Sequence, residues 1–234
     1  MKRINNYINK IKKIAKKFSD LCEEEVEETD ETEESEEQDE SGSTLGVLQN
    51  LLNGSKEPDL RVIGLFGSVE ENKISELVHG LLILNEMNRE AEEEEEKKPI
   101  DFFVCTYGGS ADDMFALYDI MQVVKEDTEI HTFGVGKVMS AGVLILAAGT
   151  KGKRKIGRNC RVMIHGVAGG SSGILPNILN ELTEMEKTQE QYIDCLVSNS
   201  KLTKKKLKKL LNEKVNIYLT AEEAVEYGIA DIIV

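Results

Sequence analysis

Ser140 and His165 are the residues of this chain whose types and settings suit nucleophilic chemistry. A serine hydroxyl attacks a carbonyl only when a base takes its proton, and histidine is the side chain best matched to that task near neutral pH. The chain has three histidines. His165 ends the short run Arg161-Val162-Met163-Ile164 and precedes Gly166 and the glycine-serine stretch Gly169-Gly170-Ser171-Ser172-Gly173. A strand end beside a flexible loop is where reactive side chains emerge from a rigid scaffold. His131 falls inside a strand pattern and His79 inside a helix pattern among Leu77, Val78, Leu81 and Leu82, so both read as structural.

Ser140 stands in Gly134-Val135-Gly136-Lys137-Val138-Met139-Ser140-Ala141-Gly142, a small-residue stretch that reads as a turn. Ile130, Thr132, Phe133 and Val135 predict a buried strand before it. Val143 to Ala148 predict a buried helix after it, closed by Gly149. A serine at such a bend has its hydroxyl beside the unpaired N–H groups of a helix start, which stabilise an anion. The plainer reading makes Ser140 a helix N-cap and Gly108-Gly109 a tight turn.

These residues resemble the proteolytic subunit of the Clp protease, a family of ATP-dependent, self-compartmentalised serine peptidases. Arg61-Val62-Ile63-Gly64-Leu65-Phe66-Gly67 is similar to its first core strand, and Tyr107-Gly108-Gly109-Ser110 to its Pro-Gly-Gly oxyanion loop with tyrosine in the proline place. Tyr118-Asp119-Ile120-Met121-Gln122 resembles the next helix, and Gly136 to Gly142 the nucleophile turn. Lys151-Gly152-Lys153-Arg154, then Arg161 to His165, resemble the approach to the catalytic histidine. Thr220-Ala221-Glu222-Glu223-Ala224, then Tyr227-Gly228-Ile229-Ala230-Asp231, resemble the end of the domain. The pieces occur in the family's order from about residue 60 to the C-terminus.

The resemblance implies an α/β ClpP/crotonase-like layered fold of ββα units with a protruding handle helix. It implies Ser140 as nucleophile, His165 as general base, and the backbone N–H groups of Gly109 and Ala141 as oxyanion hole. The family places an aspartate four residues before the Ser/Thr-Ala-Glu-Glu-Ala segment, where this chain has Asn216. An asparagine oxygen can accept the Nδ1–H of His165 but brings no charge to the imidazolium. Asn212, Glu213 and Asp194 are alternatives, because the lysine-rich stretch before Asn216 is longer than usual. Gly166-Val167 replace the usual Gln-Pro after the histidine.

As partners, the resemblance implies two stacked heptameric rings of this chain, a hexameric Clp-type unfoldase and unfolded polypeptide substrates. The chain has no GxxxxGK[ST] phosphate loop, so ATP would be used by a separate ATPase and no cofactor is expected in this chain. Ile174, Leu175, Ile178, Leu179, Leu182, Met185, Tyr192 and Leu196 form the helical apolar face expected of the handle. Two other functions stay open: a head-maturation peptidase of a phage, and a non-catalytic ring subunit.

Composition agrees with one catalytic domain plus an appendage. The chain has 234 residues and a net charge of −14, which disfavours nucleic acid as a partner. The lysines from Lys201 to Lys209 share a helix with Leu202, Leu207, Leu210 and Leu211, so they read as a solvated face over packed leucines. Cys22, Cys105, Cys160 and Cys195 have no CxxC spacing, which argues against a metal and for reduced thiols in a cytoplasmic setting.

Residues 1–19 read as a basic amphipathic helix, with Ile4, Tyr7, Ile8, Ile11, Ile14 and Phe18 on one face. Residues 20–45 read as a disordered acidic linker. Asp20 to Glu40 hold 14 acidic residues and no basic one, equal to the net charge of the whole chain. Contact of the basic helix with a partner groove or an anionic membrane surface is one reading, and self-association with the acidic run the other. The catalytic domain is expected over 46–234.

Overall fold

The computed structural model describes residues 60–90, 97–213 and 216–234. The chain divides into two units, Met1–Pro58 and Asp59–Val234, and every described residue lies in the second. The expected N-terminal basic helix, the acidic linker and residues 91–96 fall outside the described residues.

Three β–α steps build the first half: β1 (Val62–Val69), α1 (Glu71–Glu90), β2 (Ile100–Gly109), α2 (Ala111–Val124), β3 (Ile130–Met139) and α3 (Ala141–Ala147). The second half carries β4 (Lys155–Ile156), β5 (Arg161–Ile164), α4 (Leu175–Ser198), α5 (Lys204–Glu213), β6 (Ile217–Leu219), α6 (Ala221–Glu226) and β7 (Ile232–Ile233). The seven strands form one sheet in the order β1-β2-β3-β4-β7, with β5 on β3 and β6 on β5. Every pair is parallel except β5–β6. Parallel neighbours need a crossover, and helices supply it. This is a layered α/β architecture, in keeping with the fold that the resemblance implies.

Spacing in the sequence explains the packing. Ile74, Leu77, Leu81 and Leu84 bury one face of α1, and Met114, Leu117, Met121 and Val124 one face of α2. Both sets step by three and four residues, the helical repeat of one stripe. Along β2, Phe102, Val104 and Thr106 alternate inward. Every residue of α3 is buried, as its unbroken apolar run requires. Ser110 caps α2 by accepting the Asp113 N–H at 3.2 Å, and Thr220 with Glu223 forms a reciprocal capping box on α6. Among the described residues no helix is long and apolar enough to cross a membrane.

One expectation is corrected. The small-residue stretch from Gly134 is not a turn but a bulged strand: β3 continues to Met139, its register against β2 shifts between Gly134 and Val138 with Gly136 at φ 63, and the chain turns at Ser140. The reason is β5, which pairs Lys137, Val138 and Met139 with Arg161, Val162 and Met163 and so extends the ladder.

A partly buried ion pair ties the C-terminus to this core. Arg154, 4% exposed, meets Asp231 side-on, with Nε donating to Oδ2 at 2.7 Å and Nη2 to Oδ1 at 2.6 Å. Its Nη1 donates to the carbonyl of Ala147, the last residue of α3. Burial alone would raise the Asp231 carboxyl, but the hydrogen bonds and charge of Arg154 outweigh it and hold the group below its ordinary value.

Candidate active site

β3 and β5 run parallel in a register that sets Met139 beside Met163. Ser140 and His165 therefore leave the sheet one and two residues past the same level, which closes a gap of 25 positions in sequence. His165 Nε2 lies 2.8 Å from Ser140 Oγ. That is hydrogen-bond reach for proton transfer from the hydroxyl to the ring.

Ser140 occupies a strained conformation at φ 53, ψ −122, and among the described residues it alone has positive φ without being glycine. Such a conformation costs about 1–3 kcal/mol and persists where the surroundings over-determine it. Here they do. The Ser140 N–H donates to the Met163 carbonyl at 2.8 Å, and its own carbonyl accepts the Val143 N–H at 3.0 Å. Gly108 closes the other side: a Cβ there would come within 2.5 Å of Ser140 Cβ, and its φ of 102 also favours glycine. The sequence Tyr107-Gly108-Gly109 is thus the price of bringing β2 against the bend.

The Gly108 N–H is occupied by Thr106 Oγ1 at 2.9 Å. Gly109 pairs with Val69 at the end of β2, and Ser110 N–H donates to the Val69 carbonyl at 2.9 Å. Ala141 is the first residue of α3, a position whose N–H has no acceptor within the helix. Gly109, Ala141, Ser140 and His165 line one cleft of about 460 Å³, with Tyr107, Met114, Val167 and Tyr192 on its walls. The arrangement can move a proton from Oγ to a histidine while backbone N–H groups face developing negative charge.

Asn216 is reached from the opposite side. The antiparallel β5–β6 ladder ends at Ile164 and Ile217, so Asn216 stands one position beyond, across from His165. Its side chain is exposed, and no hydrogen bond joins it to His165. Of the alternatives, Asp194 is ion-paired with Lys204 at 2.6 Å and Glu213 with Lys209 at 3.8 Å, while Asn212 is exposed. His131 lies between Glu129 at 2.8 Å and Asp101 at 3.7 Å, and His79 is exposed on α1.

Cys160 offers no competing nucleophile, because burial, with a smaller contribution from Cys105, pushes its thiol up to about 11. Among the described residues no three His, Cys, Asp or Glu side chains are grouped to hold a metal ion. Tyr192 escaped the sequence reading. Its hydroxyl reaches the Ser140 carbonyl at 3.4 Å and burial holds its pKa far above the ordinary tyrosine value, yet in sequence it is one more apolar residue in the stripe of α4.

The Clp protease family profile matches residues 55–234. The ATP-dependent Clp protease proteolytic subunit of Borreliella afzelii (strain PKo) is 32% identical over 171 residues, covering 73% of this chain and 81% of that relative. With its parallel sheet, its helices and this match over most of its length, the chain belongs to the Clp protease family of peptidases.

Proposed function

We propose that this chain is a serine endopeptidase that cleaves unfolded polypeptides by acyl transfer at Ser140. His165 Nε2 takes the proton from Ser140 Oγ as the oxygen attacks the peptide carbonyl. The N–H groups of Gly109 and Ala141 hold the oxyanion of the tetrahedral intermediate. His165 then gives its proton to the leaving amine, and water, deprotonated by the same ring, releases the acyl group from Ser140. Asn216, across from His165, is the third member of this reading: its side-chain oxygen would turn inward to accept the Nδ1–H, a contact not made in the present conformation. The observation that carries this reading is the 2.8 Å contact of Ser140 with His165 at a strained bend.

The active form proposed is two stacked heptameric rings fed by a separate hexameric Clp-type ATPase. Supporting it, Ile174, Leu175, Leu179 and Leu182 at the start of α4 are each more than half exposed, an apolar face suited to a second copy. The relative is itself named as a subunit of an ATP-dependent protease. A second reading, a ring subunit that depends on active partners, draws on one observation: Asn216 is exposed and has no hydrogen bond to His165.

Hydrolysis of a short fluorogenic peptide and of unfolded casein, with and without a Clp-type ATPase, tests both. The first reading expects peptide cleavage by the assembled wild-type protein, none by Ser140→Ala, and casein cleavage that depends on the ATPase. A correctly assembled ring that cleaves neither substrate would leave the second.

A further inference from the structure

Residues 166–173, which follow His165 and lead into α4, belong to neither strand nor helix. Their position beside the site therefore depends on side-chain contacts rather than on a ladder. One stripe of α4 supplies them. Met185, Gln189 and Tyr192 are spaced by four and three residues, the spacing that aligns side chains along a helix. Met185 packs on Gly169, where an added Cβ would lie 3.0 Å from its Cε. Tyr192 reaches the Ser140 carbonyl. Between them, Gln189 Oε1 accepts the Val167 N–H at 2.9 Å and packs on Gly166, where an added Cβ would lie 2.8 Å from that oxygen.

The Val167 N–H needs such an acceptor. It stands at the wall of the cleft, and an unpaired backbone donor in a partly buried position is destabilising. A proline at the same place has no N–H and makes no such demand. Where the related pattern has proline, this chain has a donor on the strand side and an acceptor on the helix side.

We propose that Gln189 is a positioning residue for the reaction. By holding the Val167 N–H it fixes the backbone within two residues of His165 and keeps the imidazole aligned with Ser140 Oγ. The proposal rests on the serine-peptidase reading for its catalytic consequence, though the contact itself can be examined without it. Gln189 does not line the cleft and does not touch the reacting atoms, so its effect travels through Gly166 and Val167, which form part of the cleft wall.

The test uses full-length protein and three variants. Gln189→Leu removes the acceptor, Gln189→Glu keeps one, and Gln189→Leu with Val167→Pro removes acceptor and donor together. Misalignment of a base by an ångström or less lowers kcat on a short peptide by about ten- to a hundredfold in Gln189→Leu, with KM changed about twofold at most. Amide hydrogen exchange in the 164–170 segment rises in the same variant. Gln189→Glu recovers most of the rate, and the double variant recovers more than Gln189→Leu alone. A simple loss of α4 packing predicts the reverse of that last result, since Val167→Pro would add damage.

Wild-type kcat and exchange in Gln189→Leu would overturn the proposal, as would a double variant no better than the single one. If the wild-type protein proves inert toward both peptide and an active-site serine probe, the serine-peptidase reading falls on its own. The exchange of the 164–170 segment then still decides whether Gln189 holds it: no rise in Gln189→Leu would refute the contact's role.

Discussion

β5 ends at His165 between two neighbours that present their residues in opposite ways. On one side β3 delivers Ser140 into a bend fixed by Gly108, by the Met163 carbonyl and by the buried helix α3. On the other, β6 begins after Asn216, an exposed side chain with no hydrogen bond to the histidine. The Ser140–His165 contact is thus a product of the core of one chain, whereas the Asn216 position is peripheral. The contrast teaches that alignment and charge support are separable here. Alignment of Oγ with Nε2 depends on the core and on the Gln189 contact, and support of the imidazolium can vary without disturbing the fold.

Removing the chemistry on the core side has the largest expected effect. Ser140→Ala and His165→Ala each lower kcat on a short peptide by about a thousandfold or more, and the double variant is scarcely worse than either, because the pair acts as a unit. Steady-state hydrolysis alongside a circular dichroism spectrum checks this.

Loosening the core from a distance comes next. Asp231→Asn leaves Arg154 buried with an unmatched charge, and Arg154 also holds the last carbonyl of α3. Breaking one partner of a fully buried pair costs about 3–5 kcal/mol, and the solvent contact of Asp231 reduces this to about 1–3 kcal/mol, read from denaturant unfolding. The same pair sets an acid limit. The Asp231 carboxyl lies below its unfolded value, so its contribution is present above the unfolded pKa of about 3.9 and is lost as pH falls through the lower folded value. Asp231→Asn should flatten the fall in Tm over that acid window, and an unchanged slope would contradict the assignment.

Gly108→Ala breaks the contact face of the bend itself. The added methyl meets Ser140 Cβ at a backbone φ of 102, and the strain costs about 1–3 kcal/mol with loss of serine reactivity. A Tm shift together with slower labelling of Ser140 is the expected pair of results.

The smallest effect belongs to the exposed side. Asn216→Ala denies the imidazole at most one hydrogen bond that Asn216 could supply by turning inward, about 1 kcal/mol, and so lowers kcat about fivefold at most. Asn216→Asp adds a charge across from the histidine and raises kcat. A loss as large as that of Ser140→Ala would erase the comparison between the two sides.

Much of the core side was legible from residues alone. The unbroken apolar run of α3 marks a helix by pattern, and a serine with glycines on both sides marks a bend, whereas α2 was placed through the family resemblance of Tyr118 to Gln122. The extension of β3 to Met139 was not legible, because it depends on β5 as a ladder partner 20 or more residues away. Tyr192 and Gln189 lie in a helix whose periodicity explains an apolar stripe and says nothing about a hydroxyl or amide at its inner edge. Asn216 came from the spacing of a family pattern rather than from any local chemical signal, and the fold sets it across from His165 without joining the two.

The most direct test of the central claim is reaction of the assembled protein with a fluorophosphonate, followed by intact mass. One adduct per wild-type chain is expected, none on Ser140→Ala, and labelling slowed about a hundredfold or more in His165→Ala. A folded, assembled wild-type protein that stays unlabelled, or an adduct that persists in Ser140→Ala, would contradict that claim.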